Sequence, residues 1–407
     1  MKLAPPDDCE VLVVGAGPAG SACALWLARQ GRSVVLADQH EFPRDKVCGD
    51  GLIPDALAAL HRLGLLHEVM ARAQAAPAVA CIGPRGGRVD VPGRVAVLPR
   101  RELDDILKRG AERAGARFVA PWRYDAPWVE QGRVVGATLR TPQGPCRLRA
   151  RWTVLATGAV PQALLAAGMC ERRTPSGVAL RAYIFHPGLA RDGYAMEVVW
   201  HKRLRQGYGW VFPGPGGVFN IGVGIAHSHA HSDARGRHSM AEVDLRQMLA
   251  SFGAVHAPAR ELLEHGQSMG SLKGAPLRCS LAGARLARPG LLVTGEAAGS
   301  TYAFTGEGIG KAMETGLLAA QALLTGGDDS AVHAHYDASM RRLEPRFALY
   351  ERANHIHRHP WLADLLIWRA QRNPRILQGM AGVLDETRNP GQLVTLRGLT
   401  RLFLPVR

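Results

Sequence analysis

Three glycines near the start of the chain have the spacing of a dinucleotide-binding turn. Gly15, Gly17 and Gly20 fit the pattern G-x-G-x-x-G, with Pro18 and Ala19 between the second and third glycines. The first glycine permits a tight turn, the second lets a pyrophosphate approach the backbone, and the third lets a helix pack against a strand. The chemistry indicated is therefore the binding of a dinucleotide.

The surrounding residues predict the elements that this turn requires. An apolar run over 10–14 predicts a strand, helical periodicity over 21–30 predicts a helix, and a second apolar run over 33–37 predicts a buried strand that ends at Asp38. The N-terminus of such a helix offers free N–H groups to phosphates. A carboxylate at the end of the second strand can accept hydrogen bonds from both hydroxyls of a ribose.

An irregular loop, EFPRDKVCGDGLIP (41–54), follows this unit. Its two prolines and two glycines exclude a helix, and it lacks the alternation of a strand. Arg44 and Lys46 would bring positive charge towards the bound phosphates. Cys48 and Gly49 lie at its centre, and two roles are open for the thiol: a chemically active group or packing alone.

Later segments predict a second set of elements. Helices are expected over 55–73 and 101–114, and Arg100 immediately precedes the second of them. The segments 178–186, 194–200 and 208–226 are strand-like and predict a separate antiparallel sheet.

The fold class predicted is α/β plus antiparallel β. It comprises a discontinuous Rossmann-like domain (1–75, 99–172 and 280–327), an inserted antiparallel-sheet substrate domain (76–98 and 173–279) and a helical C-terminal region (328–407).

The composition limits the partners. The formal net charge is +15, yet no aromatic-basic signature of RNA binding accompanies it, so we expect no nucleic acid. The basic excess indicates a membrane surface or an acidic carrier protein as alternative partners, and 392–407 is a basic amphipathic segment suited to a lipid surface. Seven scattered cysteines without C-x-x-C predict neither disulfides nor a metal site. The sequence also lacks a secretory leader and a long apolar run, so we expect a cytoplasmic protein, with peripheral attachment to the inner membrane as an alternative.

Four segments together resemble one family. They are VVGAGPAG with its following Asp38, FPRDKVCGDGL, YGWVFP, and VTGEAAGSTYAFTGEGIGKAMETG. This combination resembles the geranylgeranyl reductase family of flavoproteins, within the p-hydroxybenzoate hydroxylase-like group. The resemblance implies FAD as the bound dinucleotide. It also implies a small-molecule substrate held above the flavin.

The resemblance assigns roles to particular positions. The cofactor-binding residues it implies are Gly15, Gly17, Pro18, Ala19, Gly20, Asp38, Arg44, Lys46, Cys48, Gly49, Arg100, Gly295, Glu296, Gly306, Gly308 and Ile309. Glu296 stands where the family's G-D-A-A-G motif has aspartate. Tyr208, Trp210 and Phe212 share one face of a strand because side chains alternate. In the family that face walls the substrate cavity, although sheet core is the alternative. The resemblance also places the Cys48 thiol near the flavin, as a candidate catalytic group.

Several activities fit this pattern. Only one dinucleotide fingerprint is present, so NAD(P)H in transit or an external reductase must supply the electrons. The first hypothesis is reduction of C=C bonds in an isoprenoid-like or lipid-like substrate. The alternative is a monooxygenase acting on an aromatic or carrier-bound substrate, and a halogenase ranks lower. A flavoprotein whose basic face docks an acyl carrier protein is a third hypothesis.

Overall fold

The computed structural model describes residues 8–190, 193–204, 207–226, 243–281 and 283–388. Its strands are β1 (Asp8–Val14), β2 (Val34–Ala37), β3 (Gly51–Leu52), β4 (Gln74–Ile82), β5 (Arg88–Val97), β6 (Arg117–Val119), β7 (Arg123–Glu130), β8 (Arg133–Thr141), β9 (Gly144–Leu155), β10 (Gly177–Phe185), β11 (Met196–Val199), β12 (Tyr208–Pro213), β13 (Val218–Ala226), β14 (Gln267–Ser268), β15 (Lys273–Leu277), β16 (Ala287–Arg288) and β17 (Leu291–Val293). Its α-helices are α1 (Pro18–Arg29), α2 (Pro54–Arg62), α3 (Leu66–Met70), α4 (Arg100–Arg113), α5 (Gln162–Ala166), α6 (Leu245–Val255), α7 (Ala257–His265), α8 (Ile309–Thr325), α9 (Asp329–Arg341), α10 (Glu344–Ala353), α11 (His355–Arg358), α12 (Trp361–Arg372) and α13 (Pro374–Leu384).

The first sheet carries the glycine turn. Its strand order is β16-β17-β9-β1-β2-β6, and β1 pairs in parallel with both β2 and β9. All four residues of β2 are buried, as are the last four of β1, because helices cover the central strands of a parallel sheet. Helices α1 and α8 pack against each other beside this sheet. Their N-termini therefore lie at the same edge, where β1 and β17 end.

The second sheet has the order β14-β10-β13-β12-β11-β4-β5-β3, and β15 pairs with β10. Most of its neighbours are antiparallel, as predicted for the segments 178–186 and 208–226. One pairing corrects that prediction: β11 runs parallel to β4. The parallel pair arises because β4 reaches the sheet from an earlier part of the chain, so a hairpin does not join it to β11. Together the two sheets give a mixed α/β structure with parallel and antiparallel strands.

The predicted helix over 55–73 is wrong in its length. The chain forms two helices there, α2 and α3, and Gly64 lies between them with φ of +69°. This left-handed conformation ends the first helix, because a continuing right-handed helix needs negative φ. Helix α4 begins at Arg100, one residue before its predicted start.

The C-terminal region is helical through α13, and α12 and α13 pack on β4 and β5. The amphipathic segment 392–407 lies outside the described residues. In the part of the chain that the structure describes, helices that are both long and apolar enough to cross a bilayer are absent.

Candidate active site

A cavity of about 1050 Å³ lies between the two sheets and the C-terminal helices. This volume is at the upper end of the range for small-molecule sites, roughly 300–1,000 Å³. One side of the lining, which we call the cofactor wall, comes from the first sheet and from the loop 41–54, which we call the Cys48 loop. The cofactor wall includes Gly15, Gly17, Pro18, Ala19, Asp38, Arg44, Lys46, Cys48, Gly49 and Arg100. The other side, the apolar wall, is formed by β4, β5, β11, the C-terminal helices, and the loop residues Trp200 and Phe304. The members of the apolar wall are Val79, Cys81, Val91, Met196, Val198, Trp200, Phe304, Ala353, Ile356, Ala363, Leu366, Ile367, Met380, Val383 and Leu384.

The glycine turn at the cofactor wall leaves no room for side chains where the backbone folds tightly. A Cβ on Gly15 would lie 2.4 Å from the carbonyl oxygen of Ala156, and Gly15 has φ of +101°. A Cβ on Gly20 would lie 1.8 Å from the carbonyl oxygen of Gly15. Around Gly17 the nearest atoms are the guanidinium nitrogens of Arg44 and Arg100, 3.7 and 3.8 Å from a Cβ placed there. The turn therefore presents bare backbone beside two cations, which suits a pyrophosphate.

Asp104 holds both of these arginines in place. Arg100 donates two hydrogen bonds to its carboxylate, at 2.7 and 2.8 Å, and Arg44 Nη1 lies 3.0 Å from Asp104 Oδ2. Burial opposes the charge on Arg100, but Asp104 outweighs it and raises the pKa of Arg100. Arg44 Nη1 is buried and makes no well-aligned hydrogen bond with the described residues. Asp104 and Asp38 balance the two guanidinium charges, and Arg44 Nη1, which lacks a well-aligned acceptor among the described residues, can donate a hydrogen bond to a phosphate, which supports the fit to a dinucleotide.

Asp38 directly follows β2 and ties the glycine turn to this second strand. Its Oδ2 accepts a hydrogen bond from the Ala16 N–H at 2.8 Å, and its Oδ1 accepts one from the His40 N–H at 2.9 Å. Burial acts to raise the pKa of Asp38, but the hydrogen bonds and the charge of Arg44 lower it overall. The carboxylate stays ionised, which is the state that accepts hydrogen bonds from ribose hydroxyls.

A buried hydrogen-bond network fixes the Cys48 loop from behind. Trp210 Nε1 donates to Asn220 Oδ1 at 2.8 Å, and Asn220 Nδ2 donates to the carbonyl oxygen of Cys48 at 2.8 Å and to Asp50 Oδ2 at 2.7 Å. The Tyr183 hydroxyl donates to the same Asp50 oxygen at 2.5 Å. The strands β10, β12 and β13 of the second sheet therefore set the position of the loop that leads from β2 of the first sheet to β3 of the second.

The protonation of Cys48 and Asp50 follows from their burial. Burial raises the pKa of the Cys48 thiol, although the positive charge of Arg100 acts against it. Burial also raises the pKa of Asp50 to about 6, against the hydrogen bonds from Tyr183 and Asn220. The thiol therefore keeps its proton at neutral pH, which suits a proton donor better than a nucleophile.

The aromatic strand β12 faces the cavity as the period of two predicts. Tyr208, Trp210 and Phe212 all line it, with successive ring centroids 6.1 and 6.5 Å apart. The Tyr208 hydroxyl donates to the carbonyl oxygen of Thr305 at 2.9 Å. Gly49 is close to the third ring, because a Cβ there would lie 3.2 Å from Phe212. The three rings thus connect the cofactor wall with the apolar wall.

Helix α8 begins at Ile309, and a cluster of charged side chains around Lys311 lies behind its N-terminus. The Lys311 ammonium is 2% exposed and lies 2.6 Å from Glu314, 2.9 Å from Glu386 and 3.7 Å from Asp55. We call these four residues the Lys311 cluster. Burial raises the pKa of Asp55 to about 7 and that of the neighbouring Glu307 to about 8. Glu307 lines the cavity, so a protonatable group lies at this helix terminus.

The structure brings most of the residues predicted from the sequence to one cavity. Those that line it are Gly15, Gly17, Pro18, Ala19, Asp38, Arg44, Lys46, Cys48, Gly49, Arg100, Tyr208, Trp210, Phe212, Glu296, Gly306, Gly308 and Ile309. Gly20 and Gly295 do not line it. A Cβ on Gly295 would lie 2.5 Å from that of Ala19, so Gly295, like Gly20, shapes the turn from behind.

Sequence reasoning missed several residues of this site. Asp104 could have been found, because it lies four residues after Arg100 and shares its helix face. Asn220 and Tyr183 carried no local signal, since their partners are 170 and 133 positions away in the chain. The contribution of α12 and α13 to the apolar wall was also not predicted.

Comparisons with known proteins identify relatives of the chain. The family model described as "FAD binding domain" matches residues 8–180. The chain is 33% identical to menaquinone reductase from Mycolicibacterium smegmatis, over 78% of this chain and 77% of the relative. It is 26% identical to digeranylgeranylglycerophospholipid reductase 1 from Methanopyrus kandleri, with 84% and 86% of the two chains covered.

A solved structure has the same fold. A geranylgeranyl bacteriochlorophyll reductase-like protein from Thermoplasma acidophilum superposes with a TM-score of 0.75 at 21% identity, over 98% of this chain and 96% of the other. At this identity the likeness concerns the fold alone.

Proposed function

The chain belongs to the geranylgeranyl reductase family and is an FAD-dependent oxidoreductase, and from that premise we propose that it reduces C=C bonds in the isoprenoid chain of a lipid. The observation that carries the proposal is the apolar wall. Its members are aliphatic, thioether or aromatic side chains apart from the Cys81 thiol and the indole N–H of Trp200, and Tyr350 of α10 adds one hydroxyl to the lining beside them. A cavity of this kind favours a long hydrocarbon over a small polar substrate.

The names of the relatives support a substrate of this class. One is named for menaquinone and the other for a digeranylgeranyl lipid. Both names denote molecules with polyisoprenoid chains, although their polar heads are unrelated. The shared part is the chain, so we infer that an isoprenoid tail occupies the apolar wall while the head group remains variable.

The residues of the cofactor wall would hold the FAD. Arg44, Arg100 and the backbone around Gly17 would bind the pyrophosphate, and Asp38 would bind the ribose. The N-terminus of α8, at Gly308 and Ile309, would place its positive dipole end towards the isoalloxazine. When bound and reduced, FAD supplies a hydride to the substrate.

Reduction of an alkene also needs a proton, which this chain must provide. The hydride adds to one alkene carbon and the proton to the other, so two electrons and two hydrogens enter the substrate. We propose the protonated Cys48 Sγ as the donor, because the thiol lines the cavity and Asn220 fixes its loop. The thiolate left after each turnover would regain its proton from water in the cavity, while Asp50, two residues further on, stays buried in its hydrogen-bond network.

The electron donor is proposed to be NAD(P)H in transit or a separate reductase. The glycine turn at Gly15–Gly20 is occupied by the flavin in this proposal, and a second such turn was not found in the sequence. A donor would therefore bind transiently.

One experiment tests the proposed function. The flavin-loaded protein is reduced with dithionite without oxygen and incubated with a menaquinone that has an unsaturated side chain. The extract is reoxidised in air before mass spectrometry, so that reduction of the quinone ring is reversed and reduction of the side chain is retained. We expect a gain of two hydrogens in the side chain.

Two results would contradict the proposal. A product that gains an oxygen atom when oxygen is admitted would support the monooxygenase alternative. Recovery of only the starting menaquinone after reoxidation would show that the side chain is not reduced, because dithionite alone reduces the quinone ring. The same reaction with a fully saturated side chain is the matched control.

A further inference from the structure

Helix α12 exposes two tryptophans on its outer face. The side chains of Trp361 and Trp368 are 59% and 45% exposed, among the largest apolar side chains at the surface. They are seven residues apart, which is close to two helical turns, so they lie on one stripe of the helix. A pair of exposed indoles on one stripe is unusual for a surface that contacts only water.

Basic side chains surround this stripe. The guanidinium carbons of Arg369 and Arg372 lie 5.7 and 4.8 Å from the Trp368 ring centroid. Arg375, at the start of α13, and Arg85, from the turn between β4 and β5, are exposed nearby. The acid on α12, Asp364, is only 13% exposed and is engaged by the Arg85 N–H at 3.1 Å. The surface therefore combines indoles with positive charge, and we call it the α12 face.

The inner side of the same helix lines the cavity. Ala363, Leu366 and Ile367 belong to the apolar wall, and Ile367 Cδ1 would be 3.1 Å from a Cβ on Gly83. One layer of helix thus separates the apolar wall from the α12 face. Whatever contacts the α12 face is one helix diameter from the inferred position of the isoprenoid tail, roughly 10 Å.

We propose that the α12 face docks on an anionic lipid bilayer, so that α12 lies in the plane of the membrane surface above the apolar wall. This inference rests on the proposed function, since it names the source from which the lipid substrate enters. Indole rings favour the boundary between head groups and acyl chains. Arginines beside them are attracted to anionic head groups.

Charge complementarity favours a bilayer over other occupants. A second copy of the chain would bring the same arginines against each other. An acidic protein would match the positive charge of the α12 face, but this charge match alone would not explain why two exposed indoles lie on one stripe of α12. A bilayer satisfies both features at once.

The test measures binding without turnover. The full chain is sedimented with vesicles of phosphatidylglycerol and phosphatidylcholine, and with vesicles of phosphatidylcholine alone. We expect binding to the anionic vesicles that weakens with salt, and a fall of roughly tenfold or more in the double variant Trp361→Ala/Trp368→Ala. Quenching of tryptophan fluorescence by brominated lipid should fall with it.

A second tryptophan–arginine group provides the matched control. Trp128 on β7 lies under Arg149 and Arg147, at 4.6 and 5.3 Å, and it is not one of the residues that line the cavity. Trp128→Ala should bind vesicles like the parent chain. Full binding by the α12 double variant, equal loss in Trp128→Ala, or a dimer abolished by the α12 substitutions would each overturn the proposal.

The two proposals fail in different ways. A chain that reduces a detergent-dispersed substrate but does not bind vesicles would overturn the docking alone. A chain that binds vesicles through α12 but leaves every isoprenoid substrate unchanged would overturn the proposed function alone.

Discussion

Asn220 joins the two halves of the site, because its Nδ2 lies 2.8 Å from the carbonyl oxygen of Cys48 although the residues are 172 positions apart. The same amide satisfies Asp50 and Trp210. Removing the Asn220 side chain would take one hydrogen-bond donor from the buried Asp50 carboxyl and the acceptor from the buried Trp210 N–H. The position of the Cys48 thiol therefore depends on a residue of β13, far away in the chain.

Asn220→Ala tests this dependence. We expect a loss of about 1–3 kcal/mol in the free energy of unfolding, which is typical of unsatisfied buried polar groups. We also expect a lower kcat with little change in KM, because the substitution displaces the proton donor and leaves the apolar wall intact. Denaturant unfolding and steady-state kinetics measure the two effects. If Asn220→Ala lowers kcat as much in a Cys48→Ala background as in the parent, the two residues act independently and the link is wrong.

Arg44 and Arg100 should differ in what they contribute. Arg44 is held by Asp104 through a poorly aligned contact, whereas Arg100 makes two good hydrogen bonds to it. Arg44→Ala should therefore weaken FAD binding by roughly 10- to 150-fold with little loss of stability, since a hydrogen bond to a charged group contributes about 1.5–3 kcal/mol.

Arg100→Ala should weaken FAD binding and also destabilise the apoprotein, because it leaves the buried Asp104 without its main partner. Titration of the apoprotein by flavin fluorescence and thermal unfolding without flavin separate the two effects. Equal apoprotein stability in both variants would contradict this division of roles.

The sequence predicted the glycine turn and Asp38 well because that unit is local. Strand, turn and helix lie within 31 consecutive residues (8–38), and each step has its own periodicity or turn signal. The aromatic face of β12 was also predictable, because alternation alone places Tyr208, Trp210 and Phe212 together.

Long-range features could not be predicted in the same way. The parallel pairing of β11 with β4 brings Met196 opposite Val79, and nothing in either segment specifies that register. The apolar wall likewise depends on α12 and α13 returning to β4 and β5 after more than 250 residues. Such contacts depend on packing between distant segments, which periodicity does not encode.

Cys48→Ala and Cys48→Ser separate proton donation from packing. If the thiol donates the proton, alanine should lower kcat by about 10²–10⁴-fold, the usual contribution of a general acid. Serine preserves the size and a proton but has a much higher pKa, so it should recover only part of the rate. Binding of FAD should be unchanged in both. Full turnover by the alanine variant would reduce Cys48 to a packing residue.

Glu307→Gln tests the electrostatics at the N-terminus of α8. Burial, with Asp55 and Glu386 nearby, raises the pKa of Glu307 from its ordinary 4.5 to about 8, although Thr305 and Lys311 act in the opposite direction. Because the folded pKa is above the unfolded one, the protonated acid favours folding, and that stability is lost as pH rises from about 4.5 through 8. Glutamine imitates the neutral acid at every pH. The variant should therefore match the parent at about pH 4.5 and exceed it in Tm above pH 8, with the difference growing between these values.

Glu314→Gln is the matched control for this prediction. Glu314 lies 2.6 Å from Lys311, and its side chain is 37% exposed. Removing its charge takes a partner from a buried ammonium, so this variant should lose stability where Glu307→Gln gains it. Thermal unfolding of both variants and the parent across this pH range measures the difference. A Glu307→Gln gain that is the same at low and high pH would show that the carboxyl does not titrate there.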